Sequence, residues 1–124
     1  MMGASVSSPA ALGRMAETTG IALVTGGASV WAHGLGAIPR LLELELVNVT
    51  AQHGYTTGQR ITIHPGSVDV ANSYGFSVIR DATNVTLRQG ASGSGGAAHY
   101  LHATSGAQVT LTGANWTLTM RAFR

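Results

Sequence analysis

The sequence predicts an all-β protein: an antiparallel β-sandwich or jelly-roll-like barrel with an extended N-terminal arm. Apolar residues recur with period two in short runs such as 41–49 and 116–123, the spacing of strands that bury one face. Turn residues, chiefly Gly, Asn, Asp and Ser, interrupt these runs at intervals too short for helices. No fixed internal repeat runs through the chain, which ranks a solenoid below the sandwich.

Taken in order, residues 1–20 lack a strong period and read as an arm, within which residues 10–17 would make one helical turn with Leu12, Met15 and Ala16 inward. Fully extended, an arm of that length reaches up to roughly 65 Å, far enough to cross a neighbouring subunit. Residues 21–124 form the β-domain. Residues 21–24 and 30–33, on either side of Thr25-Gly-Gly-Ala-Ser29, predict a hairpin. Residues 40–50 are the longest strand candidate, with Leu42, Leu44 and Leu46 on the core face and Leu41, Glu43, Glu45, Val47 and Val49 opposite.

Residues 59–64, closed by Pro65-Gly66, form the next strand. Residues 73–80 then turn at Asp81-Ala-Thr-Asn84 into 85–89. Their inward pairs are Ile61/Ile63, Phe76/Val78 and Val85/Leu87. A glycine- and serine-rich loop spans 90–96. Strands at 99–103, 108–112 and 116–123 follow, the last with Trp116, Leu118, Met120 and Ala122 in alternation and therefore in the core.

A chain of 124 residues suits one domain with its own core. Only 10% of its residues are charged, too few to hydrate the whole surface of a free monomer, so partners are expected to cover part of it. With no cysteine, neither a disulfide framework nor a thiolate metal site is available. All seven basic residues are arginines, at 14, 40, 60, 80, 88, 121 and 124. Scattered in this way, they do not make the basic stripe of a nucleic-acid binder. The first twenty residues have no continuous apolar segment of the signal-peptide kind, and no stretch is long enough to insert in a membrane, so assembly in the cytoplasm is expected.

Of the five histidines, His99 and His102 lie three apart in a predicted strand and point to opposite faces. A site built from His33, His53 and His64 across a trimer axis is outweighed by ordinary turn roles, and no metal or other cofactor is expected. Glu43 and Glu45 share a strand face about 7 Å apart, which is the geometry of a glycosidase pair. Such neighbours more often protect a strand edge or partner arginines, and no Gly-x-Ser-x-Gly elbow or other nucleophile motif accompanies them; the chain reads as non-enzymatic. Trp31, Tyr55, Tyr74, Tyr100 and Trp116 could stack on sugar rings. Tyr55, Tyr74 and Tyr100 fall in turn-rich segments and are the candidates for contact with a receptor.

The most distinctive stretch is His33-Gly-Leu-Gly-Ala-Ile-Pro39, followed by the apolar run 41–49 and by His53-Gly-Tyr-Thr-Thr-Gly58. This pattern, HGLG-x-x-P leading into a strand and GY-x-x-G after it, resembles a small β-domain of bacteriophage virion proteins, especially tail-fibre tips. It covers residues 28–63, and the rest of the chain matches only as a compatible β pattern. His33, Gly34, Gly36, Pro39, His53, Gly54 and Gly58 would then form a structural turn motif, the imidazoles locking loops where glycine lets the backbone approach closely. The resemblance implies a virion structural protein, assembled as a homotrimer, whose loops 53–58, 65–75 and 90–100 contact a host surface glycan or outer-membrane protein. A capsid decoration protein that clamps neighbouring virion subunits through its arm is the alternative, because no repetitive shaft is present. A glycan-cleaving enzyme is a weaker one.

Overall fold

In the computed structural model, which describes residues 14–63, 73–91 and 99–124, the regular structure among the described residues is β-strand apart from one 3-10 turn at Gly113–Asn115. The strands are β1 (Met15–Ala22), β2 (Ala28–Ala32), β3 (Leu41–Asn48), β4 (Arg60–Ile63), β5 (Phe76–Arg80), β6 (Asn84–Gln89), β7 (His99–Leu101), β8 (Gln108–Thr110) and β9 (Trp116–Phe123). They pair antiparallel into a four-stranded sheet β1-β9-β3-β4, a three-stranded sheet β2-β6-β5 and the hairpin β7-β8. The sheets do not close into a barrel, so the sandwich is the architecture of the described residues.

One core joins the two larger sheets. Leu44, Leu46, Leu118 and Met120 from the four-stranded sheet pack with Phe76, Val85 and Leu87 from the three-stranded sheet, and Trp116 and Leu111 close the cluster. The alternation of β3 and β9 therefore buries the predicted faces: Leu44, Leu46, Trp116, Leu118, Met120 and Ala122 are buried, and Leu42 is partly so. Ile63, Phe76, Val85 and Leu87 are also buried, with Ile61 and Val78 packed against them. The β5–β6 hairpin turns where Asp81-Ala-Thr-Asn84 predicts it, because Asp81 Oδ1 accepts bonds from the Thr83 and Asn84 N–H groups (2.9 and 2.7 Å).

Three local expectations are corrected. Met15–Gly20 is neither arm nor helical turn but the first part of β1, paired with the C-terminal half of β9; residues 1–13 lie outside the described residues. The register of β1 shifts between Thr18 and Ile21, a bulge that includes Gly20 at φ +68°. Residues 21–33 do not form a hairpin. The tight turn is present, with the Gly27 N–H bonded to the Val24 carbonyl at 2.8 Å, but β1 and β2 enter different sheets. Gln89 stabilises that crossing: its Oε1 accepts from the Val24 N–H and its Nε2 donates to the Ala22 carbonyl, both at 2.9 Å. Finally, β3 is an interior strand, so Glu43 and Glu45 cannot protect an edge.

The outer faces of the two large sheets differ. That of the four-stranded sheet carries Glu17, Arg121 and Glu43 in one register row. That of the three-stranded sheet carries the row Val30, Thr86 and Ile79, with Val30 67% and Ile79 61% exposed.

Candidate functional site: the two poles of the sandwich

Because β3 separates them, the two halves of the motif lie at opposite ends of the four-stranded sheet. The 33–39 loop enters β3 at one pole and the 53–58 loop follows it at the other.

At the first pole, His33 is buried and its ring bridges two segments. Nδ1 accepts from the Leu35 N–H and Nε2 approaches the Asp81 carbonyl, both at 3.0 Å, an arrangement satisfied by the tautomer protonated on Nε2. Gly34 and Gly36, at φ +69° and +75°, let the chain double back over the ends of β1 and β9, while Pro39 is fully buried. The loop carbonyls exposed by this path receive arginine donors. Arg124 donates to the Leu35 carbonyl at 2.8 Å, Arg14 to the same oxygen at 3.3 Å, and Arg14 also to the Gly34 carbonyl at 3.4 Å. The neighbouring ends bring two more arginines. The Arg124 N–H bonds the Arg14 carbonyl, the Arg40 N–H bonds the Phe123 carbonyl, and the Arg80 side chain reaches the Arg40 carbonyl at 3.5 Å.

The arginines are thus not scattered in space. Arg14, Arg40, Arg80 and Arg124 meet at this pole, which corrects the linear reading. Among the described residues, Asp81 follows Arg80 directly at this end. Its carboxyl is held below its usual range by the bonds from Asn84, then Thr83, and only weakly by His33.

The second pole is closed by neutral groups. Gln52 Oε1 accepts from the Trp116 indole N–H at 2.9 Å and the Thr112 N–H at 3.0 Å. His53, left-handed at φ +54°, places Nε2 2.7 Å from the Thr110 carbonyl. Tyr55 donates its hydroxyl to the Leu101 carbonyl at 2.7 Å and sets its ring edge-on to Trp116, with centroids 5.3 Å apart. Gly54, at φ +82°, leaves no room for a side chain: a Cβ there would stand 2.8 Å from His102 Cε1. His102 in turn receives the N–H groups of Thr104 and Ser105 on Nδ1. Gly58 is left-handed as well, and its N–H bonds the Asn48 carbonyl. The buried Asn48 holds the Thr50 carbonyl through Nδ2, while its Oδ1 has no partner.

The geometry gives two of the three candidate receptor-contact tyrosines a role inside the fold. Tyr55 and Tyr100 are half-buried and packed against the core, and burial pushes the Tyr100 hydroxyl up to about 12. Tyr74 is half-buried next to the left-handed Ser73 and makes an interaction of its own. Most of loops 65–75 and 90–100 lies outside the described residues, as does His64. His33 and His53 sit at opposite poles with ring nitrogens turned to carbonyls, and no group of three metal-ligating side chains occurs among the described residues.

Glu43 and Glu45 belong to an ion-pair network. Arg121 donates to Glu17 and Glu43 at 2.6 Å and to Glu45 at 2.7 Å, and Arg60 donates to Glu45 at 2.8 Å. The bond from Arg121 is the largest cause holding the Glu45 carboxyl below its usual range, with Arg60 adding to it and burial opposing, while the Arg121 pKa is raised. A general acid needs the opposite shift. Comparison with known protein families, with curated proteins and with solved structures returns no match.

Proposed function

We propose that this chain is a non-enzymatic structural and binding module of a bacteriophage particle, of the tail-fibre-tip type, working as a homotrimer that contacts the host surface. The observation that carries the reading is the fit between the resembling residues and the fold. His33, Gly34, Gly36, Pro39, Gly54 and Gly58 all occupy positions where the chain needs a left-handed residue, a buried ring or a histidine bridge. The motif thus supplies the two turns that begin and end the central strand β3. The uncharged row Val30, Thr86 and Ile79 supports association, since such a face gains by being covered. The engagement of Glu43 and Glu45 by Arg121 supports a role without catalysis.

A capsid decoration protein is the second reading, favoured by the same apolar row, which would suit a shell surface equally. Immunogold electron microscopy of particles with antibody against this domain separates the two. Label on the tail supports host attachment, label over the head supports decoration, and unlabelled particles overturn both. Light scattering of the purified protein at three times the chain mass supports the trimer, and a monomer overturns it. Replacing Glu43 and Glu45 together with Gln tests the enzymatic rival: loss of polysaccharide depolymerisation would revive it.

A further inference from the structure

We infer that the arginine pole is a binding site for a compact oxyanion, phosphate foremost, held between the guanidinium groups of Arg14 and Arg124 with Arg80 beside them. The two guanidiniums share the Leu35 carbonyl, so their nitrogens lie within about 6 Å of one another, a separation at which like charges repel. A carbonyl fixes a guanidinium in place without cancelling its charge. Of the five N–H donors on each arginine, Arg124 uses one on Leu35 and Arg14 uses two on Leu35 and Gly34. The rest are available from a preorganised fork, the geometry that suits phosphate.

No carboxylate among the described residues pairs with Arg14, Arg80 or Arg124. The Asp81 carboxylate is occupied by its own turn. Arg121 provides the internal contrast, since its donors end on three glutamates and its charge is neutralised.

The ligand is compact because the positive surface ends quickly. Three residues along β1 from Arg14, about 10 Å, stands Glu17, with Glu43 beside it across Arg121. An extended polyanion lying along the sheet would meet those carboxylates. For the source of the phosphate, the inference rests on the host-contact reading: a phosphate-bearing surface glycan is the ligand class that this site would recognise. The site itself does not depend on that reading.

The test is a titration of the full chain with inorganic phosphate, followed through the arginine Nε–H resonances by NMR. Saturable shifts confined to Arg14, Arg80, Arg124 and their neighbour Arg40 are expected, with binding at least fivefold weaker in Arg14→Gln and Arg124→Gln and intermediate in Arg14→Lys. Equal shifts at Arg60 and Arg88, or shifts that never saturate, would overturn the site whether or not the variants fold. Glucose 1-phosphate should bind and glucose should not; equal behaviour of the two would count against it. A duplex DNA that binds far more tightly than phosphate, with a steep salt dependence, would replace the compact ligand with a nucleic acid. If phosphate binds at the pole but neither glucose 1-phosphate nor Arg14→Gln changes adsorption to cells, the site stands and the host-contact reading falls.

Discussion

The two poles solve one problem with different chemistry. Each carries a left-handed loop braced by a histidine that reaches a distant carbonyl, Asp81 for His33 and Thr110 for His53. At the second pole, the hairpin pole beside β7–β8, a tyrosine hydroxyl, an amide and an indole N–H satisfy the loop, and two aromatic rings pack together. At the arginine pole, exposed guanidiniums do the bracing. The first arrangement pairs its polar groups with one another and derives stability from the packing of Tyr55 against the buried Trp116. The second derives little stability, because exposed donors trade water for carbonyl at near parity, but it leaves positive charge on the surface. Stability and recognition are thus assigned to opposite ends of the sandwich.

Mutations at matched positions test this division, beginning with the largest effect. Tyr55→Ala at the hairpin pole removes a packed ring and its bond to Leu101 and should cost about 3 kcal/mol in urea unfolding. A loss below about 1 kcal/mol would mean that the ring is not part of the core. The glycines sharpen the contrast. Gly34→Ala meets no atom within 4 Å and should cost only the left-handed penalty of about 1 kcal/mol. Gly54→Ala carries the same penalty and also drives a Cβ into the His102 ring, so its cost should be about twice as large. Equal losses would show that His102 moves aside freely.

Between the poles, the glutamate network makes a prediction about pH. The folded pKa of Glu45 lies below its usual value of 4.5, so its stabilising contribution is fully present above that value and is lost as pH falls through the lower folded value. Thermal melts from pH 7 to pH 3 should show this loss. In Arg121→Gln the acid-side slope should flatten, while at pH 7 the melting temperature falls because three carboxylates are left without their shared cation. An unchanged slope would remove Arg121 as the cause. The smallest effect belongs to the arginine pole: Arg14→Gln should shift stability by less than about 1 kcal/mol. A larger loss would mean that the pole carries the fold after all.

How far these poles can be read from the sequence depends on the range of the interactions. The alternation in β3 and β9 is local and strong, with Leu, Trp and Met on one face, and the Asp81 turn announces its own hairpin through side chain to backbone bonds. β1 is obscured because Met15-Ala-Glu-Thr-Thr-Gly offers few apolar residues and its bulge breaks the period. The turn at Thr25–Gly27 is locally that of a hairpin, yet Gln89, 65 residues away from Val24, helps to decide which sheet the chain enters. The arginine pole has no local signal at all. Arg14 and Arg124 bracket the described chain, and only the antiparallel pairing of β1 with β9 brings them together. Tyr55 looked available because its neighbours are turn residues; that its hydroxyl would find Leu101 follows from topology.

The bulge in β1 has a consequence for how densely such a module can be displayed. Among the described residues β1 ends the four-stranded sheet, and a strand from an adjacent copy laid along it would meet a break in phase between Thr18 and Ile21, around Gly20. The break shortens the ribbon that copies side by side could form along this border.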